Sequence, residues 1–261
     1  MIKKLAKIIG LLLLTAGAAR AAAVIEREMA CPVCGHEFYA KLDSSAQQAD
    51  MRLDLKPVGP EAAPFLLPDC PKCGFVVYKI PIPRAELAKC RAVVASPEYQ
   101  KSLKRSSYYR AGLLYENLGK ADFSIANTYL KASWQEEADA ARLKEDLEAS
   151  LRYFKARAAN EADKSEEWEN SKLLIGELLR RLGRFGEAKI HLEGLRNLKA
   201  FQKNFFGDIV DYELALCDKW DAGPHDMQEV REFKKPPLLR AWEKFKAFAA
   251  DLTALPPRKT E

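Results

Sequence analysis

Leu174-Ile175-Gly176-Glu177-Leu178-Leu179, leading into Leu182-Gly183-Arg184-Phe185-Gly186-Glu187-Ala188, is the stretch that decides the fold. Its apolar residues recur at helical spacing, Gly176 leaves room for a second helix to approach, and Leu182-Gly183 is a helix stop. An aromatic and Ala188 follow at once, so a second helix starts and packs back on the first. The order recurs upstream as Ala111-Gly112-Leu113-Leu114-Tyr115, then Leu118-Gly119, then Ala126 and Leu130. Gly176 and Gly183 lie 64 residues beyond Gly112 and Gly119, and Ala188 and Leu192 lie 62 beyond Ala126 and Leu130. The first unit therefore has a turn two residues longer.

A separation of this size is near two repeats of about 34 residues each, and the pattern resembles a tetratricopeptide (TPR) unit. A generic helical bundle, with Leu-Gly pairs marking helix ends, is the alternative. Leu147–Ala159 reads as part of a degenerate middle unit, and Asp211–Cys217 opens a further one. Upstream, Arg84–Val94 reads as a first helix, and Ser96-Pro97-Glu98 offers an N-cap, a first-turn Pro and an acid facing the dipole. Asp163-Lys164-Ser165-Glu166 reads as a capping box before a Trp168–Leu182 helix. Pro236-Pro237 interrupts the last helical region, Arg240–Leu252 reads as a terminal helix, and 255–261 as a frayed tail. No strand signal of any length appears after Arg84.

The N-terminal part has another character. Cys31-Pro32-Val33-Cys34-Gly35 and Cys70-Pro71-Lys72-Cys73-Gly74 are matching knuckles. Pro presets a tight turn, and Gly takes the positive φ that points backbone N–H groups at the sulfurs. Two Cys-x-x-Cys pairs supply four thiolates, enough to close a tetrahedral site around one Zn²⁺. Glu37-Phe38-Tyr39-Ala40 and Phe75-Val76-Val77-Tyr78, just after each knuckle, are β-prone, so each knuckle is expected to join a hairpin. Pro57, Gly59, Pro60 and Pro64 break up the linker between them. So few apolar residues hold a fold poorly, and metal supplies the missing stability. The expected fold is mainly α: a small zinc-ribbon-like β module over 22–83, then a TPR-like helical array over 84–254.

Residues 1–21 read as a secretory signal: Lys3, Lys4 and Lys7, an apolar run from Ile8 to Ala18, then Ala19-Arg20-Ala21 as a cleavage site. The implied location is the periplasm or outside the cell, with membrane contact only in transit. An uncleaved anchor is the other reading. The net charge of +5 falls to +1 without the four basic residues of that segment, which removes electrostatic support for nucleic-acid binding.

Cys31-Pro32-Val33-Cys34-Gly35, Cys70-Pro71-Lys72-Cys73-Gly74-Phe75 and Leu174–Gly183 together resemble a bacterial family known only as domain of unknown function 2225. The likeness runs from about residue 29 to 220. It implies a CPxCG…CPxCG ribbon joined to TPR-like helices and the ligands Cys31, Cys34, Cys70 and Cys73, with no activity attached.

Several chemistries compete for these residues. Zinc leads. Iron in a rubredoxin-like site and thiol–disulfide exchange are alternatives, the latter encouraged by export but lacking the expected helix after each pair. Cys90 and Cys217 either pair or are buried thiols on helices. His36 reads as a turn residue, His191 as a helix-surface residue and His225 as a loop residue. No Ser/His/Asp set, His-Glu-x-x-His motif or phosphate-cradling loop is present. Glu136-Glu137 and Glu166-Glu167 read as solvated helix faces. The function expected is non-enzymatic: a zinc-stapled, exported scaffold that grips a protein or peptide through its helical repeat.

Overall fold

The structure is a computed structural model that describes residues 24–43, 49–59, 66–160, 162–163, 165–202, 204–236 and 246. The stretch 1–21 read as a signal, the expected tail 255–261 and, apart from Lys246, the expected terminal helix 240–252 lie outside the described residues.

The chain begins with an antiparallel hairpin, β1 (Val24–Ala30) against β2 (Glu37–Asp43), in register from Val24 opposite Asp43 to Ala30 opposite Glu37. Phe38 and Ala40 are buried and Tyr39 is exposed, the alternation expected of a strand with one covered face. The linker forms a second, smaller hairpin, β3 (Asp50–Met51) with β4 (Pro57–Val58). Helices follow: α1 (Arg84–Ala95), α2 (Pro97–Lys101), α3 (Ser107–Leu118), α4 (Asp122–Gln135), α5 (Ala140–Arg157), α6 (Glu166–Arg181), α7 (Phe185–Arg196), α8 (Phe205–Asp218) and α9 (Met227–Lys234).

The repeat has a physical counterpart in these helices. α3 and α6 each end on a left-handed glycine, Gly119 at φ 65 and Gly183 at φ 70. Lys120 N–H then bonds the Tyr115 carbonyl at 3.0 Å and Arg184 N–H the Leu179 carbonyl at 2.9 Å, the same C-terminal lock. Within the helices, a Cβ on Gly112 would stand 2.7 Å from the Tyr129 ring of α4, and one on Gly176 would stand 2.5 Å from Leu192 of α7. The small residues thus sit where each helix crosses its successor, and Ala126 and Ala188 are both fully buried behind them. α5 stands as a single long helix between the two pairs, packed against α4 and α6.

Local start signals hold with one change. The Ser96 side chain caps α2 through Tyr99 N–H at 3.2 Å, with Pro97 in the first turn. Ser165 caps α6 through Trp168 N–H at 3.3 Å. The third residue of α6 is Trp168 and has no carboxylate to complete a box. Asp163 accepts from Ser165 N–H at 2.8 Å.

Two apolar cores result. The larger joins residues of α4 to α9, with Leu53 from the β3–β4 hairpin inserted. The smaller joins Cys31, Cys70, Phe38 and Phe75 to Val77 with Cys90 and Val94 of α1, Tyr99 of α2 and Ala111, Leu113 and Leu114 of α3. The knuckles thus share a core with the first three helices. Cys90 and Cys217 are free thiols, buried in the smaller and larger core respectively, so the pairing alternative fails.

Two expectations are corrected. Phe75–Tyr78 forms no hairpin: Asp69 and Val76 make one isolated bridge, and Val77 N–H reaches the Pro68 carbonyl at 2.8 Å. Pro68 has no N–H to continue a ladder, and Phe75, Val76 and Val77 are buried. The Glu136-Glu137 pair is no solvated face either. Glu136 is buried and accepts from Arg105 Nε at 2.8 Å, while Glu137 takes Arg52 and Lys56, both at 2.6 Å. Glu166-Glu167 does lie exposed at the start of α6.

Candidate metal centre

Each knuckle is the same backbone device. In the first, Gly35 N–H bonds the Cys31 carbonyl at 2.8 Å and Cys31 N–H bonds the His36 carbonyl at 2.8 Å. In the second, Gly74 N–H bonds the Cys70 carbonyl at 2.8 Å and Cys70 N–H bonds the Phe75 carbonyl at 2.9 Å. Gly35 at φ 72 and Gly74 at φ 74 hold the left-handed turn that closes each loop. The first knuckle is the turn of the β1–β2 hairpin, and the second faces it.

The four sulfurs all lie within 4.8 Å of one another. Across the two knuckles, Cys31 Sγ stands 3.7 Å from Cys73 Sγ, and Cys34 Sγ stands 3.6 Å from Cys70 Sγ. A tetrahedron with metal–sulfur bonds of about 2.3 Å has edges of about 3.8 Å. The separations match that edge and are far longer than a disulfide bond, and all four cysteines are free. The group comprises the four cysteines alone, and His36 is not part of it.

The donors are unequally placed. Cys31 and Cys70 are buried, Cys73 is partly covered and Cys34 is exposed. Burial pushes the Cys31 and Cys73 thiols up, against backbone N–H groups that favour the thiolate: Cys34 and Val33 at Cys31, Phe75 at Cys73. At Cys34, slight burial is outweighed by the His36 N–H and by the thiols of Cys73, Cys70 and Cys31, which bring it down to about 7. A metal entering here meets one readily ionised thiol and displaces protons from the others.

The helices hold the second knuckle from below. Arg110 of α3 donates to the Gly74 carbonyl at 2.8 Å and to Asp69 at 2.7 Å, and Tyr99 OH donates to the same carbonyl at 3.0 Å. A Cβ on Gly74 would overlap Leu103. Arg91 of α1 reaches the Val33 carbonyl of the first knuckle at 3.2 Å.

Elsewhere the structure assembles two polar clusters that sequence reasoning missed. His225 bonds Asp221 through Nε2 at 3.1 Å and Glu229 through Nδ1 at 2.8 Å, and Tyr212 OH joins Glu229 at 2.8 Å. Both ring nitrogens are engaged by carboxylates, so this group clamps the 221–226 loop to α8 and α9. The i,i+4 spacing of Asp221, His225 and Glu229 was its only signal. Beside it, Arg180 binds Glu177 at 2.6 Å and the carbonyls of Asp221 and Gly223, both at 2.8 Å. His191, read as a helix-surface residue, is half-buried and bonds the Lys172 carbonyl at 2.7 Å.

Four cysteines on paired knuckles, the first at the turn of a small hairpin beside a helical array, form a cluster that could hold a metal ion. A family model described as an uncharacterised protein conserved in bacteria (DUF2225) matches residues 24–212, from the first strand into α8. The chain belongs to that family. No curated protein and no solved structure matches it.

Proposed function

We propose that the chain is an exported, zinc-stapled scaffold whose TPR-like helices hold a protein or peptide partner. The observation that carries this reading is the closed tetrahedral spacing of Cys31, Cys34, Cys70 and Cys73, which leaves no open position for substrate. The ion's role is then mechanical: it fixes the zinc-ribbon-like hairpin on α1 to α3. The small residues at both helix crossings support a repeat array, a class that binds through extended helical surfaces. The basic, apolar and small-residue order of residues 1–21 supports export.

The alternative is a periplasmic thiol–disulfide oxidoreductase. Against it, the four sulfurs form one mutual cluster in place of two separate pairs, and the first knuckle leads into a strand, where no helix dipole activates a thiol. A zinc-ribbon nucleic-acid binder requires cytoplasmic residence.

The test is metal analysis with thiol counting on the full chain recovered from the periplasm. One zinc per chain and no disulfide is the expected result. No metal with two disulfides, and insulin reduction lost on Cys31→Ser, supports the oxidoreductase.

A further inference from the structure

The helices cover the two knuckles unequally. Tyr99 and Arg110 both donate to the Gly74 carbonyl of the second knuckle, and Leu103 fills the space beside Gly74. The first knuckle meets the helices through buried Cys31 and through Arg91, an exposed side chain that reaches the Val33 carbonyl. Cys34 and Gly35, on its outer side, are exposed. Of the four sulfur donors, Cys31 and Cys70 are buried, Cys73 is partly covered and only Cys34 is open to solvent.

The backbone donors around the sulfurs differ too. The N–H groups of Val33 and Cys34 both point at Cys31, whereas Cys34 receives that of His36 alone. Each N–H···S bond draws charge from a thiolate and weakens it as a nucleophile. Cys73 also has a single such donor, from Phe75, but lies partly covered. Cys34 is therefore the ligand that a small oxidant reaches first, and its reactivity is little damped. Every other sulfur of the cluster lies within 4.8 Å of it, so a thiol to complete a disulfide is already in place.

We infer that Cys34 is a modification site: a peroxide attacks the zinc-bound thiolate there, and the disulfide that follows expels the ion. The inference rests on the zinc-scaffold reading and adds an oxidant that undoes the staple.

In the first step the Cys34 sulfur attacks one peroxide oxygen. The O–O bond breaks, hydroxide leaves, and Cys34 becomes a sulfenic acid. In the second step a neighbouring thiolate of the cluster attacks the Cys34 sulfur. An S–S bond forms, and the sulfenic oxygen leaves as a second hydroxide. The two thiolates give up two electrons and the peroxide takes both. A disulfide draws its sulfurs to about 2.0 Å, well inside the tetrahedral edge of about 3.8 Å, and leaves the ion two of its four donors. Zinc held by two thiolates passes to a chelator, and the metal staple of the hairpin is lost.

The test treats the full zinc-loaded chain with hydrogen peroxide while a chromophoric chelator reads the zinc released. The ion is expected to leave as a disulfide that includes Cys34 appears, with Cys217, buried in the larger core, unmodified. Dimedone, which traps sulfenic acids, should mark Cys34. Cys34→His keeps a zinc donor without a thiolate and should slow the release about tenfold, whereas Cys73→His should leave it fast. Brief alkylation of the unaltered loaded chain with iodoacetamide needs no variant to fold, and its first adduct should fall on Cys34. First adducts on Cys31, Cys70 or Cys73 overturn the assignment to Cys34. A loaded chain that keeps its zinc against peroxide overturns this inference alone and leaves the scaffold reading intact. A chain that takes up no zinc overturns the scaffold reading, and this inference with it.

Discussion

Stripping the metal should open one core of this protein and leave the other closed. The two knuckles, Cys31–Gly35 and Cys70–Gly74, comprise ten residues in tight turns. Ordering them costs about 10–20 kcal/mol at about 1–2 per residue. Zinc in a four-thiolate site returns about 10–16 kcal/mol, so the turns are close to balanced with metal and unstable without it. Phe38, Phe75, Val76 and Val77 are positioned by those turns, and each contributes about 1.5–3 kcal/mol by staying against α1 to α3. Cys90 reports on that contact, because it is fully buried in the same core, whereas Cys217 lies in the core of α4 to α9. The assay is maleimide labelling in native buffer, counted by mass, after removal of zinc with a strong chelator and a thiol-reactive mercurial that is then displaced. We expect the four knuckle thiols and Cys90 to be labelled, Cys217 to stay protected, and most of the helical circular dichroism to persist. Protection of Cys90 in the metal-free chain would refute the reasoning, since the helices would then close that core unaided. Labelling of Cys217 at the same rate would refute the separation of the two cores.

Four other outcomes follow from the contacts. Gly112→Ala should lower the urea midpoint, because overpacking the flanked Tyr129 ring costs about 1–3 kcal/mol and exceeds the propensity gain of about 1. Gly194→Ala in α7, with nothing within 4 Å of its Cβ, should raise stability by about 1 kcal/mol and move the midpoint up. Arg110→Ala should weaken zinc binding about tenfold in competition with a chromophoric chelator, because it removes one of the two donors on the carbonyl of Gly74 beside Cys73 and the tie to Asp69. Asp146→Asn should change how stability depends on pH. Burial, with Glu136 nearby, raises Asp146 to about 8, so from about pH 4 to 8 it keeps a proton in the folded chain that the unfolded chain has lost, and the stability it contributes is lost as pH rises through that window. Wild-type minus variant stability in urea titrations at saturating zinc should therefore fall with pH, by at most about 1.4 kcal/mol per unit.

What was legible in the sequence was local chemistry. Pro and Gly flanking paired cysteines specify a turn within five residues, and the structure has that turn twice. Gly119 and Gly183 announce helix ends because a positive φ is costly for other residues, and Gly112 and Gly176 announce crossings because a neighbour fills the space a Cβ needs. Non-local partners were not legible. No local pattern marks Arg52 and Asp54, yet both are buried, since Arg181 meets Asp54 at 3.1 Å and Glu137 meets Arg52 at 2.6 Å. Phe75–Val77 has strand composition, but burial against helices decides its conformation. Tyr109 OH of α3 donates to Glu145 of α5 at 2.9 Å, and no spacing rule connects residues so far apart.

The β3–β4 hairpin carries a consequence for the order of assembly. It lies in the loop that separates Cys34 from Cys70, yet it is fastened near the other end of the chain. Leu53 N–H bonds the His225 carbonyl at 2.9 Å, and Gln228 N–H bonds Asp50 at 2.9 Å. The anchors of this strap are synthesised roughly 175 residues after it, and closing so long a span is slow. A metal ion could join the two knuckles early, but the intervening chain completes its seat only once α9 exists. Truncation before residue 225 would therefore leave a strap that keeps its ion pairs to Glu137 and Arg181 but loses its ties at Leu53 and Asp50.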